Sequence, residues 1–360
     1  MIPIPTTAHK PRVLTLSLLG VAGALAVSLS APLATTVIGL ALFGILHHVL
    51  ELRYITGRFG TLFSLEGWVL LLVLISGIVV CRIMSAWAPG LTGFCEISLG
   101  YLVIGYALVR VLRGRRRVIA LTLVAALAGV SFWWSTWHFV VLTHLHNVIP
   151  LFFWWEWSRR ITDPLRRRAF RAIHLLWVVA IPTLILTGAL DGILTTTGSQ
   201  IVAPLVGDGA SIVRSTSIPG ASPVVDLRFL TVFAFGQTMH YVTWVGMMPA
   251  LTSHETQTFE ERVPALRGWR TWALGLGLAS LLGLVFASDY LQGRSLYATI
   301  ASYHAYLEYP VLLGVVFGSA RYLGGDGERD PVESSATAKA DHLTPDRKDP
   351  VRCSPPLPMC

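Results

Sequence analysis

The sequence predicts an all-α, polytopic membrane protein, a bundle of about ten transmembrane helices with both termini cytoplasmic. An apolar composition, ten apolar runs and two tryptophan clusters set a bilayer apart point to it. Of 360 residues, 53% are hydrophobic and 13% charged, and the mean hydropathy is +0.61, outside the range of soluble domains. Trp133, Trp134 and Trp137 precede Trp154, Trp155 and Trp157 by about 20 residues, the separation of the two aromatic belts of a bilayer. The formal charge of +8 resides in arginines clustered between apolar runs, so membrane orientation accounts for it and nucleic acid is not an expected partner. Cys81, Cys95, Cys353 and Cys360 have no paired spacing, which excludes a disulfide framework or thiolate metal site.

The apolar runs cover residues 13–33, 33–52, 67–86, 97–112, 118–134, 138–157, 172–191, 229–251, 272–288 and 295–320. The first follows His9, Lys10 and Arg12 and reads as an uncleaved anchor, because the second follows it with almost no loop. Residues 118–157 as one helix would span about 60 Å, twice a hydrocarbon core. That helix would also separate Arg113, Arg115, Arg116 and Arg117 from the basic cluster at Arg159, Arg160, Arg166, Arg167, Arg168 and Arg171. A tight turn near Ser135 brings both clusters to the cytoplasmic side, together with Arg53, Arg58, Arg262, Arg267 and Arg270. Residues 192–227 then face outward as a long loop placed to cap a site. Residues 1–322 form the transmembrane domain, and 323–360, rich in Gly, Asp, Glu, Ser, Lys and Pro, are expected to be a disordered cytoplasmic tail. The lipid bilayer, in the form of a bacterial plasma membrane, is the expected setting.

Ionisable groups within hydrocarbon are functional candidates by default. An outer-to-middle set comprises His144, His146 and Asn147, then His240 in FGQTMHYVTW, and His304 with Glu308 in SYHAYLEYP. A second set lies toward the cytoplasm: His47, His48 and Glu51 in LHHVLELRY, with His174. His47/Glu51 and His304/Glu308 are two His-x-x-x-Glu pairs, each on one helical face, the arrangement by which separate helices converge on a metal. The expected ligands are His47, Glu51, His144, His240, His304 and Glu308. His48, His138, His146, Asn147, His174 and Gln237 are expected as orienting groups or alternative ligands. His144 and His146, two residues apart, point about 200° away from one another, so one of them is a supporting group. An N/O donor set without thiolates suits iron, manganese, zinc or copper, and the Glu/His composition suits iron, including a di-iron site.

The type resembles the His-rich integral membrane oxidases and oxygenases that hold non-haem metal between helices: membrane desaturases, hydroxylases and carotenoid-cleaving dioxygenases. The desaturase pattern His-x-x-x-His followed by His-x-x-His-His is absent, and neither His47-His48 nor His144-x-His146 reproduces it. The resemblance implies a membrane-embedded, metal-dependent oxidoreductase acting with oxygen on a small or lipophilic substrate, supplied by an electron-donor protein. Two other expectations stand beside it: a b-type carrier whose histidines ligate two haems, and a transporter in which His and Glu relay protons.

Overall fold

The computed structural model describes residues 10–195 and 198–322, and they are helical throughout, without strands. In chain order the helices are α1 Lys10–Ser30, α2 Pro32–Phe59, α3 Leu65–Met84, α4 Pro89–Val111, α5 Gly114–Trp133, α6 Ser135–Val148, α7 Pro150–Trp157 and α8 Pro164–Leu175. They continue as α9 Ile181–Leu186, α10 Ser199–Val206, α11 Ala210–Thr216, α12 Pro223–Tyr241, α13 Met248–Leu251, α14 Ser253–Arg262, α15 Trp269–Ser288 and α16 Tyr290–Tyr322. The expected tail, with His342, Cys353 and Cys360, lies outside the described residues, as does His9. Cys81 and Cys95 are free thiols.

Proline sets many of the boundaries. Pro32, Pro89, Pro164 and Pro223 open helices in the first turn, where a missing N–H costs nothing, and Asp163 caps α8 by accepting from Leu165 N at 2.9 Å. Inside a long helix proline has the opposite effect, since it withdraws a donor and crowds the carbonyl four residues back. Pro182 and Pro249 each follow a π-helical stretch, Leu176–Ala180 and Val242–Met247, and Pro150 separates α6 from α7.

Seven helical spans are long and apolar enough to cross a membrane: α1, α2, α3, α4, α5, the α8–α9 stretch Pro164–Leu186, and α15. Leucines and valines on their outer faces, such as Leu19, Val73, Leu123 and Leu284, are exposed, as a lipid-facing surface requires. The chain is an integral membrane protein. The three remaining apolar runs became α6–α7, α12–α13 and α16; α6 and α7 are 14 and 8 residues long, and α12–α13 and α16 carry histidine, threonine and tyrosine along their length. Within its most apolar stretch α2 is 56% buried and α5 only 6%, so α2 is the central strut and α5 a peripheral one. α2 packs against α12, α14 and α15.

The run 118–157 is broken at Trp134. His138 Nδ1 meets Ser131 Oγ at 3.0 Å, whereas seven residues of continuous helix would separate their backbones by about 10 Å, so the chain bends there. The stretch 192–227, expected as an irregular loop, contains α10 and α11, which are too short to show a helical period in sequence.

One end of the bundle is polar. Arg58 pairs with Glu156 at 3.1 Å, Arg53 with Glu260 at 3.3 Å and Arg160 with Glu255, while Arg262 caps the last carbonyls of α2. Glu255 lies on α14, a polar helix outside the spanning segments. Burial raises its carboxyl, but the hydrogen bond and charge of Arg160 outweigh burial and hold it below the usual carboxylate range. A depressed carboxylate stabilises the fold above its unfolded pKa, and that contribution is lost as pH falls through the folded value. Thermal melts in detergent should therefore show a Tm that drops on acidification below about pH 4, with a shallower drop in Glu255→Gln. Gly57 of α2 lies so close to α14 that a Cβ would sit 2.1 Å from the Glu255 carbonyl oxygen. Gly57→Ala should cost about 1–3 kcal/mol by forcing two backbones apart, seen as a lowered Tm.

Candidate metal centre

Four helices deliver one imidazole each to a single point: His47 from α2, His146 from α6, His240 from α12 and His304 from α16. One nitrogen of each lies within 4.8 Å of the others. His304 Nε2 is 3.3 Å from His47 Nε2 and 3.1 Å from His146 Nε2. Ligands about 2.0–2.1 Å from a tetrahedral ion lie about 3.3 Å apart, so this is the spacing a coordinated ion imposes. His47, His240 and His304 are each 1% exposed.

A hydrogen bond at the far side of one ring fixes its tautomer. A carbonyl only accepts, so the 2.9 Å contact of His47 Nδ1 with the Phe43 carbonyl puts the proton on Nδ1 and, in the neutral ring, a lone pair on Nε2. His146 Nδ1 pairs with Glu308 Oε2 at 2.7 Å, which orients its Nε2 toward His304. The His47 lone pair faces His304 Nε2, where a cation among the rings would take it up.

The two His-x-x-x-Glu pairs stand side by side. His47 meets His304, and one turn on Glu51 and Glu308 converge with His240, with ligand atoms again within 4.8 Å. Matched levels mean that α2 and α16 run the same way past the centre. Glu51 Oε2 lies 3.9 Å from His240 Nε2. Both carboxylates are fully buried, and neither has an arginine or lysine at ion-pair distance among the described residues. A divalent ion would neutralise the two together.

His48 supports this arrangement from behind. Its ring lies 3.6 Å from that of His304, and its Nε2 bonds the Tyr297 hydroxyl at 3.2 Å, so Tyr297, His48 and His304 form a stack that fixes the His304 plane. Gln237 donates to the Tyr241 hydroxyl at 2.9 Å and to the Thr36 carbonyl at 3.3 Å, and the Tyr241 ring packs on His47. Asn147, buried beside Gly236, has a 3.5 Å contact with the Thr143 carbonyl.

The remaining candidates lie apart. His144 turns away from His146, as two-residue spacing demands, and bonds the Thr216 carbonyl at 2.7 Å between Phe229 and Phe233. Of the pair expected on α6, it is His146 that reaches the centre. His174 bonds the Phe170 carbonyl at 2.8 Å beneath Trp154 and belongs to the aromatic core. His138 bonds Ser131 at the chain bend. His47 and Glu51 of the expected inner set and His146, His240, His304 and Glu308 of the outer one form a single cluster, while His144 and His174 stand outside it.

Tyr297, seven residues before His304, shares its face of α16, a signal legible in the spacing. Arg82 and Glu96 were not expected at all. They form a pair at 2.7 Å inside the bundle, and Tyr306 donates to Glu96 at 2.9 Å. A cavity of about 240 Å³ opens on the four imidazoles and is lined further out by Gln237, Tyr241, Tyr297 and α11. No known protein family, curated protein or solved structure matches this chain.

Proposed function

We propose that this chain is a membrane-embedded, metal-dependent oxidoreductase, an oxygenase or oxidase of a small or lipophilic substrate. Its metal, iron in the first place, would be held by His47, His146, His240 and His304. The observation that carries the reading is the convergence of four imidazole nitrogens within 4.8 Å of one another at the inner end of a cavity. Iron with N/O ligands supplies one-electron chemistry and oxygen activation. The chain's own groups orient and insulate: Glu308 holds the His146 tautomer, His48 and Tyr297 hold His304, and the bundle keeps water from the cavity. Glu51, His240 and Glu308 are the group a second ion of a di-iron site would use.

The electrons are assigned to a donor protein, and the setting to a bacterial plasma membrane crossed by all ten apolar runs with both termini cytoplasmic. The gathering of Arg53, Arg58, Arg160 and Arg262 at one end of the bundle supports that orientation under the positive-inside rule. The haem reading is disfavoured by packing. His304 Nε2 touches the Nε2 atoms of both His47 and His146, which leaves no flat slot for a macrocycle on either side of it.

Elemental analysis of protein purified in detergent should find about one or two transition-metal ions per chain, and His304→Gln should lose most of that content. Less than a tenth of an equivalent in the unsubstituted protein would remove the proposal. Glu308→Gln, which leaves the four imidazoles in place, should weaken metal retention against a chelator by about 10–100-fold.

A further inference from the structure

The cavity does not end at the imidazoles. Along α16 it continues toward the helix N-terminus, where Tyr290 and Arg294 face Ser215 of α11. His304 and Arg294 are ten residues apart on one helix, which sets their levels about 15 Å apart. Between them the wall is largely apolar, with Leu40, Phe139, Leu142 and Phe233.

Arg294 differs from Arg82, the other arginine lining the cavity, and from the partly buried Arg53 and Arg58, each of which faces a carboxylate. Among the described residues Arg294 has no carboxylate at ion-pair distance, and its guanidinium reaches only the Ser211 carbonyl at 3.4 Å and the Ser215 hydroxyl. Arg82 also lines the cavity, but its guanidinium is taken up by Glu96 and the Ala298 carbonyl. Beside Arg294, Tyr290 is 3% exposed and its buried hydroxyl has no hydrogen-bond partner. An unpaired guanidinium and an unsatisfied hydroxyl at the mouth of an apolar cavity are both costly, and one anion answers both. A planar carboxylate matches the guanidinium fork.

We infer that the cavity binds an amphiphile with a carboxylate headgroup, held by Arg294, Tyr290 and Ser215, whose apolar body extends to the four-histidine centre. The inference rests on the proposed function for what lies at the inner end, while the anion-binding end stands on its own geometry. A cavity of about 150 Å³ accommodates benzene, so the cavity of about 240 Å³ here suits a medium-chain acid.

Decanoate and decanol, titrated calorimetrically into the protein in phosphatidylcholine nanodiscs with empty nanodiscs as blank, separate headgroup from tail. The unsubstituted protein should prefer decanoate by at least about tenfold. Arg294→Gln should abolish the preference and Tyr290→Phe reduce it, both with unchanged metal content. Equal affinity for the two probes, or a preference that survives Arg294→Gln, would overturn the inference. A protein that binds no metal yet shows the Arg294-dependent preference upholds the anion site and removes the metal reading. Metal without the preference does the reverse.

Discussion

The structure is organised by the cost of placing imidazole and carboxylate inside hydrocarbon. Each such group, left alone, would destabilise the bundle by kilocalories, so its helix is tolerated only where a partner from another helix is waiting. α6, α12 and α16 each carry a buried or half-buried imidazole, and these meet that of α2, the most enclosed of the spans. The polar centre and the order of the helices around it are thus the same fact: the helices that cannot face lipid are the ones that face each other.

Within the centre, the physics that buries the groups also sets their electronic state. The Phe43 carbonyl takes the Nδ1 proton of His47, Glu308 pairs with Nδ1 of His146, and the Nε2 atoms of both rings meet that of His304. The two glutamate carboxyl groups lie within the same shell, with no basic side chain beside them among the described residues. Elsewhere the bundle pairs its buried charges within the chain, as at Arg82 with Glu96 or Arg160 with Glu255. Where it does not, at the four-histidine centre and at Arg294, the missing partner is assigned to something the chain binds, a cation in one place and an anion in the other.

Proline has a consistent part in this arrangement. Pro150 follows His146 by four residues and removes the donor its carbonyl would normally receive, leaving Ile149 N to reach that oxygen at 3.3 Å. A π-helical stretch begins two residues after His240, and Pro310 lies two residues beyond Glu308. Three of the four helices that carry the imidazoles thus meet a proline or a π-helical stretch near the ligand, while α2 is regular, and such irregularity re-aims side chains over a turn or two.

Much of this was legible in the sequence by itself. Apolar runs announced the helices, because lipid tolerates no other spanning backbone in an α protein, and the excessive length of the run 118–157 pointed to the helix break at Trp134. Four-residue spacing put His47 with Glu51 and His304 with Glu308, and two-residue spacing showed that His144 and His146 could not share a role. Which of those two turned inward was decided by tertiary packing, since helical periodicity fixes relative angle and not absolute rotation. Depth counted along single helices divided the histidines into two sets, and only the side-by-side course of α2 and α16 joined them. Local spacing is written along the chain; convergence depends on how helices distant in sequence are rotated and staggered against one another, and that is a property of the packed bundle alone.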